Sequence, residues 1–401
     1  MKPVIPQDTC FLFTQAESTC GLDKEIFGKV VTEPGQITNR DIVYLAADTV
    51  LPSFQGACPA ALIYSAEDCR APALWENGRF PVLLVKPNIV FSCGDIISIS
   101  MKGRIHRHYR TASHNNAFLV TEACNNLCVM CPQPPKPARI VDPLQLEASV
   151  AATIDLLDDE HLPETLCITG GEPTMLSEGL IRIIDKIAKR SPLTLIHLLT
   201  NGRYFYYESY VAHLAAAARG NLLVGIPLFA HVSDIHDYIV QSRGAFDQTL
   251  VGLLNCYKQG ISIELRIVLH QTTIESLLDL AEFIAKNFFF VKHVALMGME
   301  NMGYAKLNWS TLSIDPWDYK DTLSAAVEIL QRYGIETRIF NLPLCVVNSD
   351  VHANCAKSIS DFKNTYPLIC AQCVKREDCG GFFASSTDKF FLTQHITPFL
   401  V

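Results

Sequence analysis

Cys124, Cys128 and Cys131 stand in the run TEACNNLCVMCP with the spacing C-x3-C-x2-C. A deprotonated thiol is a ligand for zinc or iron, and three thiols this close in the chain can converge on one centre. Structural zinc takes four protein ligands, so three alone leave such a site incomplete. A cubane iron–sulfur cluster held by three thiolates instead keeps one iron open, and an open iron can chelate a substrate. Asn125, Asn126 and Pro132 keep the loop polar and non-helical, so that its backbone can wrap a cluster. The competing reading is a zinc half-site or three incidental thiols.

Two further motifs end in turns. Gly170-Gly171-Glu172-Pro173 follows the apolar run 166–169. Glycine lacks a Cβ, so the chain can pass close to a ligand and adopt positive φ. Strand-end carbonyls and the Glu172 carboxylate suit an ammonium group, although the same four residues also read as an ordinary turn. Thr200-Asn201-Gly202 ends a later apolar run, where Asn or Gly at positive φ is the plain explanation. In 262–270 the residues Ile263, Leu265, Ile267 and Leu269 alternate with Glu264, Arg266 and His270. Strand side chains alternate between faces, so these charges share one side. Buried charge must be paired or used, so Arg266 is expected to meet Glu264, the carboxylate of a ligand, or both. Gly298-Met299-Glu300, with Gly303 behind it, is a looser turn. His231, Asp234, His236 and Asp237 could supply a substrate-facing acid or base at the barrel mouth, and a solvated loop is the preferred reading.

A second cysteine set lies near the C-terminus. Cys370, Cys373 and Cys379 form C-x2-C-x5-C, with Cys345 upstream. Four thiolates complete one cubane cluster or one structural zinc site. Cys355 is the rival for the fourth position, and Cys345 is favoured by its loop context after Pro343. Cys167 and Cys256 sit in apolar stretches and read as core. Cys10, Cys20, Cys58, Cys69 and Cys93 lack ligand spacing.

The elements that must position these residues change character along the chain. Residues 1–115 contain short β-type runs at 28–32, 81–86, 96–100 and 105–110, with a hairpin turn at Met101-Lys102-Gly103. They read as a β-rich module for partner or peptide docking. The segment 104–110 (RIHRHYR) is locally basic, and a solvated strand face is preferred there to a peptide-docking surface. Residues 116–335 alternate strand-like runs (118–121, 166–169, 194–200, 222–229, 261–270, 291–297) with helical patterns (143–158, 176–189, 206–218, 245–258, 274–287, 316–333). Six βα units imply an α/β fold, a partial (β/α)6 TIM barrel with right-handed crossovers. Chemistry in such barrels sits at the carboxyl ends of the strands, where the first cysteine loop falls. Residues 336–401 are a cysteine-rich extension for an auxiliary cluster.

Composition narrows the function classes. The chain has 401 residues, two to three domains' worth, and is 49 % hydrophobic. A net charge of −8 argues against a general nucleic-acid binder. No uncharged apolar run is long enough to span a bilayer, and the start MKPVIPQDTC lacks the apolar stretch of a secretion signal. No membrane association and a cytoplasmic location are therefore expected. Fifteen cysteines in that setting favour metal chemistry over disulfides.

The triplet, the Gly-Gly-Glu element and the TNG turn together resemble the radical S-adenosylmethionine (SAM) superfamily. More narrowly, CNNLCVMCPQPP (124–135), HLLTNGR (197–203), SISDFKN (358–364) and CGGFF (379–383) resemble the His-Xaa-Ser system radical SAM maturase family of the C type. The resemblance implies a [4Fe–4S] cluster on Cys124, Cys128 and Cys131 whose open iron binds SAM. It implies that Gly170, Gly171, Glu172 and Pro173 contact the amino group of SAM, that Thr200 and Asn201 lie near SAM or substrate, and that Met130 lies against adenine. With SAM as the ligand, Arg266 is expected to meet its carboxylate, Glu264, or both; Arg266 and Glu264 are the candidate catalytic pair, and a purely structural ion pair is the alternative. The C-terminal cysteines resemble the core of SPASM-type segments, implying one auxiliary [4Fe–4S] cluster on Cys345, Cys370, Cys373 and Cys379. The full SPASM domain carries more cysteines. The implied activity is hydrogen abstraction from a ribosomally made precursor peptide with His-Xaa-Ser repeats, forming a side-chain cross-link. Implied partners are that peptide, a sister maturase of the B type as hetero-oligomer, a small accessory protein and an external electron donor. Two other readings stand beside it: a radical SAM enzyme acting on a small molecule or activating another enzyme, and a non-catalytic metal-binding partner of a sister maturase.

Overall fold

A computed structural model describes residues 12–33, 37–46, 58–65, 79–113, 115–136, 143–358, 363–386, 390 and 393–400. Cys10, Cys69 and residues 359–362 of the SISDFKN motif lie outside them. The chain divides into two compact units, one of residues 7–118 with 148–166, the other chiefly of 119–147 and 167–401.

The first unit is built on a mixed sheet of eight strands among the described residues: β1 (Phe13–Gln15), β2 (Ser18–Cys20), β3 (Ile26–Val31), β4 (Asp41–Leu45), β5 (Ala61–Ser65), β6 (Val82–Val85), β7 (Ile96–Ile99) and β8 (Arg104–Tyr109). Their spatial order is β1-β8-β7-β3-β4-β5-β6-β2. The expected hairpin is present: β7 and β8 are antiparallel, with Gly103 at φ +74° in the turn. Strands β4 and β5 escaped the sequence pattern because DIVYL and ALIYS are buried on both faces, which removes alternation. The basic face expected on β8 is largely cancelled. Arg107 turns inward, 3.5 Å from Asp95. His106 stacks on Phe13, and burial pushes the His106 and His108 imidazoles down to about 4 and 3, uncharged at neutral pH.

The second sheet takes strands β9 (Asn115–Thr121), β10 (Thr165–Gly170), β11 (Leu195–Leu199), β12 (Leu222–Pro227), β13 (Ser262–Leu269), β14 (His293–Gly298), β15 (Glu336–Phe340) and β16 (Cys355–Ala356), adjacent in sequence order. All pairs from β11 to β16 are parallel. Six of these are the strands expected of a partial barrel. β15 and the two-residue β16 extend the same sheet into the segment read as a separate extension. Helices α1 (Pro143–Leu156), α2 (Glu178–Arg190), α3 (Glu208–Ala218), α4 (Ser233–Val240), α5 (Ala245–Lys258), α6 (Leu277–Asn287) and α7 (Pro316–Arg332) connect the strands. α2 buries Leu180, Ile183, Ile184, Ile187 and Ala188, the stripe that a 3.6-residue period sets toward a sheet. Asp315 caps α7 by accepting from the Trp317 amide, with Pro316 at the first helical position. α4 replaces the solvated loop read at 231–237. His236 is buried in it, and Asp237 accepts from the amides of Gly244 and Phe246.

Leu265 lies in the middle of β13 and is fully buried. Leu265→Ala should lower unfolding free energy by about 2–5 kcal/mol, measured by urea denaturation, with secondary structure retained.

Candidate active site

The first cysteine loop leaves the carboxyl end of β9 and is braced from two sides. The Leu127 and Val129 amides donate to the carbonyls of Val240 and Ile239, at the end of α4 (3.0 and 2.9 Å). From beyond β14, the Tyr304 amide donates to the Cys131 carbonyl (2.8 Å) and Asn308 Nδ2 to that of Val129 (2.8 Å). Gly303 packs so tightly on the Cys131 and Pro132 carbonyls that a Cβ would collide with both. Met130 is buried in an apolar cluster with Phe229, Ile239 and Met299, against which Cys128 and Val268 also pack.

Gly170 and Gly171 owe their identity to the chain beside them. Neither has positive φ, contrary to the reason expected from sequence. A Cβ on Gly170 would strike the Thr121 carbonyl, and one on Gly171 the Ala123 carbonyl. That closeness lets the Gly171 amide donate to Thr121 (2.8 Å) and the Glu172 amide to Ala123 (2.7 Å), locking the second strand end to the root of the cysteine loop. Glu172 is fully buried. Its Oε1 accepts from Thr174 N (3.0 Å), Thr174 Oγ1 (2.6 Å) and Thr200 Oγ1 (2.6 Å), and its Oε2 from Asn201 N (2.6 Å). Burial pushes the carboxyl above the usual glutamate range, against the pull of those donors. Pro173 opens the short turn that Glu172 caps. Gly202 does take positive φ (+75°).

Arg203, which sequence reading passed over, closes the ring. Its Nη1 donates to the Asn125 carbonyl (2.7 Å) and Asn126 Oδ1 (2.6 Å), its Nε to Gln248 Oε1 (2.7 Å), while Asn201 Nδ2 donates to Asn125 Oδ1 (2.6 Å). Its position directly after TNG was the available signal.

The cysteines suit an iron–sulfur cluster. Burial raises all three thiols, Cys124 to about 11 and Cys128 to about 12; Glu172 and then Cys131 raise Cys124 further, and Cys131 and Cys124 raise Cys128. A positively charged metal centre relieves that repulsion. No three sulfurs of either cysteine set lie within 4.8 Å of one another. A tetrahedral zinc ion with 2.3 Å bonds would draw its sulfurs to about 3.8 Å.

Below the mouth, the lumen face of β13 carries Glu264, Arg266 and Val268. Glu264 Oε1 accepts from Arg266 Nη1 (2.6 Å), and its Oε2 from His293 Nε2 (2.8 Å), with His197 Nε2 at 3.7 Å. Burial alone would raise the Glu264 carboxyl, but His293, Arg266 and His197 outweigh it and hold it at about 2. Val268 touches the cysteine-loop cluster. Glu264 is therefore about 13 Å deeper along the strand, with Arg266 between. His197 and His293 were not picked out from sequence; their signal was placement on inward positions of β11, two strands from β13, and of its neighbour β14.

Cys345, Cys370, Cys373 and Cys379 line one pocket together with Tyr366 and Phe399. The Leu344 and Gly381 amides donate to Cys379 Sγ (both 3.4 Å). Cys355 is outside that pocket, on β16, its thiol facing the Val351 carbonyl.

Residues 118–284 match the model of the Radical SAM superfamily, so the chain carries a radical SAM domain, which implies a [4Fe–4S] cluster and SAM. A curated relative, the antilisterial bacteriocin subtilosin biosynthesis protein AlbA of Bacillus subtilis (strain 168), is 26 % identical over 192 residues, 46 % of this chain and 41 % of AlbA. The chain thus spans about two fifths of that relative's length. Among solved structures it is similar to Streptococcus suis SuiB (14 % identity, TM-score 0.43, covering 62 % of this chain and 52 % of SuiB). It is also similar to anSMEcpe with bound AdoMet and a Cp18Cys peptide (16 % identity, TM-score 0.41, covering 55 % of this chain and 62 % of that one). No helix among the described residues is long and apolar enough to cross a membrane.

Arg203→Ala should leave the fold intact and lower iron retained per chain after anaerobic reconstitution several-fold, read by elemental analysis of the Cys370→Ala/Cys373→Ala background. The Glu264 pairing contributes stability above the ordinary glutamate range of about 4.3 that is lost as pH falls toward 2. The melting-temperature gap between the wild type and Glu264→Gln should accordingly be widest above about pH 5 and close on acidification.

Proposed function

We propose that the chain is a peptide-modifying radical SAM enzyme acting on a ribosomally made precursor of the His-Xaa-Ser repeat type. The observation that carries the radical SAM part is the cysteine triplet at the carboxyl end of β9, tied through Glu172 and Arg203 to the GGEP and TNG turns. Cys124, Cys128 and Cys131 would hold a [4Fe–4S] cluster. With SAM on its open iron, that cluster supplies the electron and the 5′-deoxyadenosyl radical for hydrogen abstraction from an unactivated carbon. The carbonyls of Gly170 and Gly171, with Glu172 behind them, offer acceptors for the SAM amino group. Pro173, Thr200 and Asn201 shape that edge. Met130 presents an apolar wall toward adenine. Arg266, anchored by Glu264, offers its remaining N–H groups to a carboxylate. Given its depth, Glu264 acts as a positioning residue. The apolar packing of Met130, Phe229 and Met299 keeps water from the radical.

The peptide substrate is supported by the family resemblance and by the bacteriocin biosynthesis relative. Cys345, Cys370, Cys373 and Cys379 would hold an auxiliary [4Fe–4S] cluster. With all four irons ligated by thiolate, it suits accepting an electron from the substrate rather than binding it. The product is a cross-link with net loss of two hydrogens. The enzyme would work in the cytoplasm beside a sister B-type maturase and a small accessory protein, and draw its first electron from an external donor.

Anaerobically reconstituted wild type should release 5′-deoxyadenosine under strong reductant and lower the mass of a co-expressed precursor peptide by two hydrogens. Cys124→Ala should abolish both. Cys370→Ala/Cys373→Ala should keep SAM cleavage and lose the cross-linked product. Zinc in place of iron, with no nucleoside product, would refute the enzymatic reading.

A further inference from the structure

The second cysteine set is flanked by charge as well as by sulfur. Between Cys373 and Cys379 the chain reads VKRED, and the four charged residues of that run divide by sign. Lys375 and Arg376 line the pocket with the four cysteines, whereas Glu377 and Asp378 are exposed and outside its lining. Consecutive turns set this arrangement. The Arg376 amide donates to the Cys373 carbonyl (3.2 Å) and the Cys379 amide to the Arg376 carbonyl (3.3 Å). Glu377 pairs instead with Lys357 (3.8 Å).

Lys375 is half-buried and held from two sides. Its Nζ lies 4.6 Å from the centre of the Phe399 ring and 3.2 Å from His352 Nδ1. His352 Nε2 in turn lies 3.0 Å from the Leu344 carbonyl. A carbonyl can only accept, so Nε2 carries a proton, and an ammonium can only donate, so Nδ1 accepts. The partners thus assign one imidazole tautomer and keep the lysine charged. Leu344 is the residue whose amide donates to Cys379 Sγ, so ammonium, imidazole and sulfur are joined by one chain of contacts. Holding a lysine in this way costs rotamer freedom that a lysine in water retains. Arg376 lies over the Tyr366 ring (5.1 Å to its centre), whose hydroxyl donates to the Cys379 carbonyl (2.7 Å). Burial and the neighbouring thiols push the Cys370 thiol up to about 11, and the Arg376 charge pulls against them.

We propose that Lys375, positioned by His352 and Phe399, and its neighbour Arg376 raise the reduction potential of an iron–sulfur centre held by Cys345, Cys370, Cys373 and Cys379. The proposal rests on the auxiliary-cluster reading above and names the residues that tune that site. Four thiolates make such a site anionic, and an added electron makes it more so. Cations in the pocket wall ease that addition, because net charge and hydrogen bonds to sulfur set the potential of these centres. Closing a cross-link releases one electron and one proton from the substrate radical, and a raised potential favours uptake of that electron.

The test uses the full chain carrying Cys124→Ala, Cys128→Ala and Cys131→Ala, so that the cluster remaining after anaerobic reconstitution is the auxiliary one. Its midpoint is read by redox titration followed with electron paramagnetic resonance. Adding Lys375→Met, which keeps an unbranched stem and removes the charge, should leave iron per chain and melting temperature unchanged. At a fixed applied potential the ratio of reduced to oxidised centre should fall about tenfold, a midpoint about 59 mV lower. Lys375→Arg should restore most of the ratio, and His352→Ala should lower it by a smaller factor. An unchanged midpoint in iron-replete Lys375→Met would overturn the tuning role and leave the auxiliary cluster standing. Equal falls in Lys375→Met and Lys375→Arg would assign the side chain to packing, and loss of iron would assign it to cluster assembly; either overturns the proposal. If the parent chain takes up zinc or no metal at these cysteines, the auxiliary-cluster reading fails and takes the proposal with it.

Discussion

One buried carboxylate holds the candidate site in register. Glu172 is shielded from water, and its charge is tolerable only because four donors from Thr174, Thr200 and Asn201 converge on it. Two of those residues end β11, while the glycines before Glu172 press β10 against the root of the cysteine loop. Three strand ends are thus joined through a single side chain. Losing the carboxylate would strand those donors in a dry interior, which is more costly than losing an exposed ion pair.

Around this knot the loop is held almost wholly by backbone and amide contacts. Arg203 and Asn201 grip it between Cys124 and Cys128, α4 supports its middle, and the turn after β14 supports its end. A loop that must surround a cluster cannot also form a helix or join a sheet, so its polar backbone needs partners from elsewhere. Those partners are supplied by three separate segments. The site is accordingly a product of the sheet's carboxyl edge as a whole. The lumen beneath follows a similar logic: Glu264, Arg266, His197 and His293 come from three strands and neutralise one another in a low-dielectric interior.

The two cysteine sets differ in their setting. The first opens at a strand end beside apolar residues and polar turn groups. In the second, four sulfurs line one pocket with Tyr366 and Phe399. β15 and β16 carry the barrel's sheet directly into that second set, which makes the C-terminal segment a continuation of the barrel unit.

Sequence alone determined the cysteine spacing, the alternation of strand and helix from 116 to 335, and the inward placement of Glu264 and Arg266. These depend on local periodicity and on residue types whose chemistry is distinctive. It could not reveal β4 and β5, whose burial on both faces erases alternation, nor α4, whose short polar start resembles a loop. Only the tertiary structure decided why the glycines of GGEP are needed, that Arg203 clamps the cysteine loop, and that Cys345 rather than Cys355 shares a pocket with the other three thiols. Each of these depends on backbone approach between segments far apart in the chain, a distance no local pattern encodes.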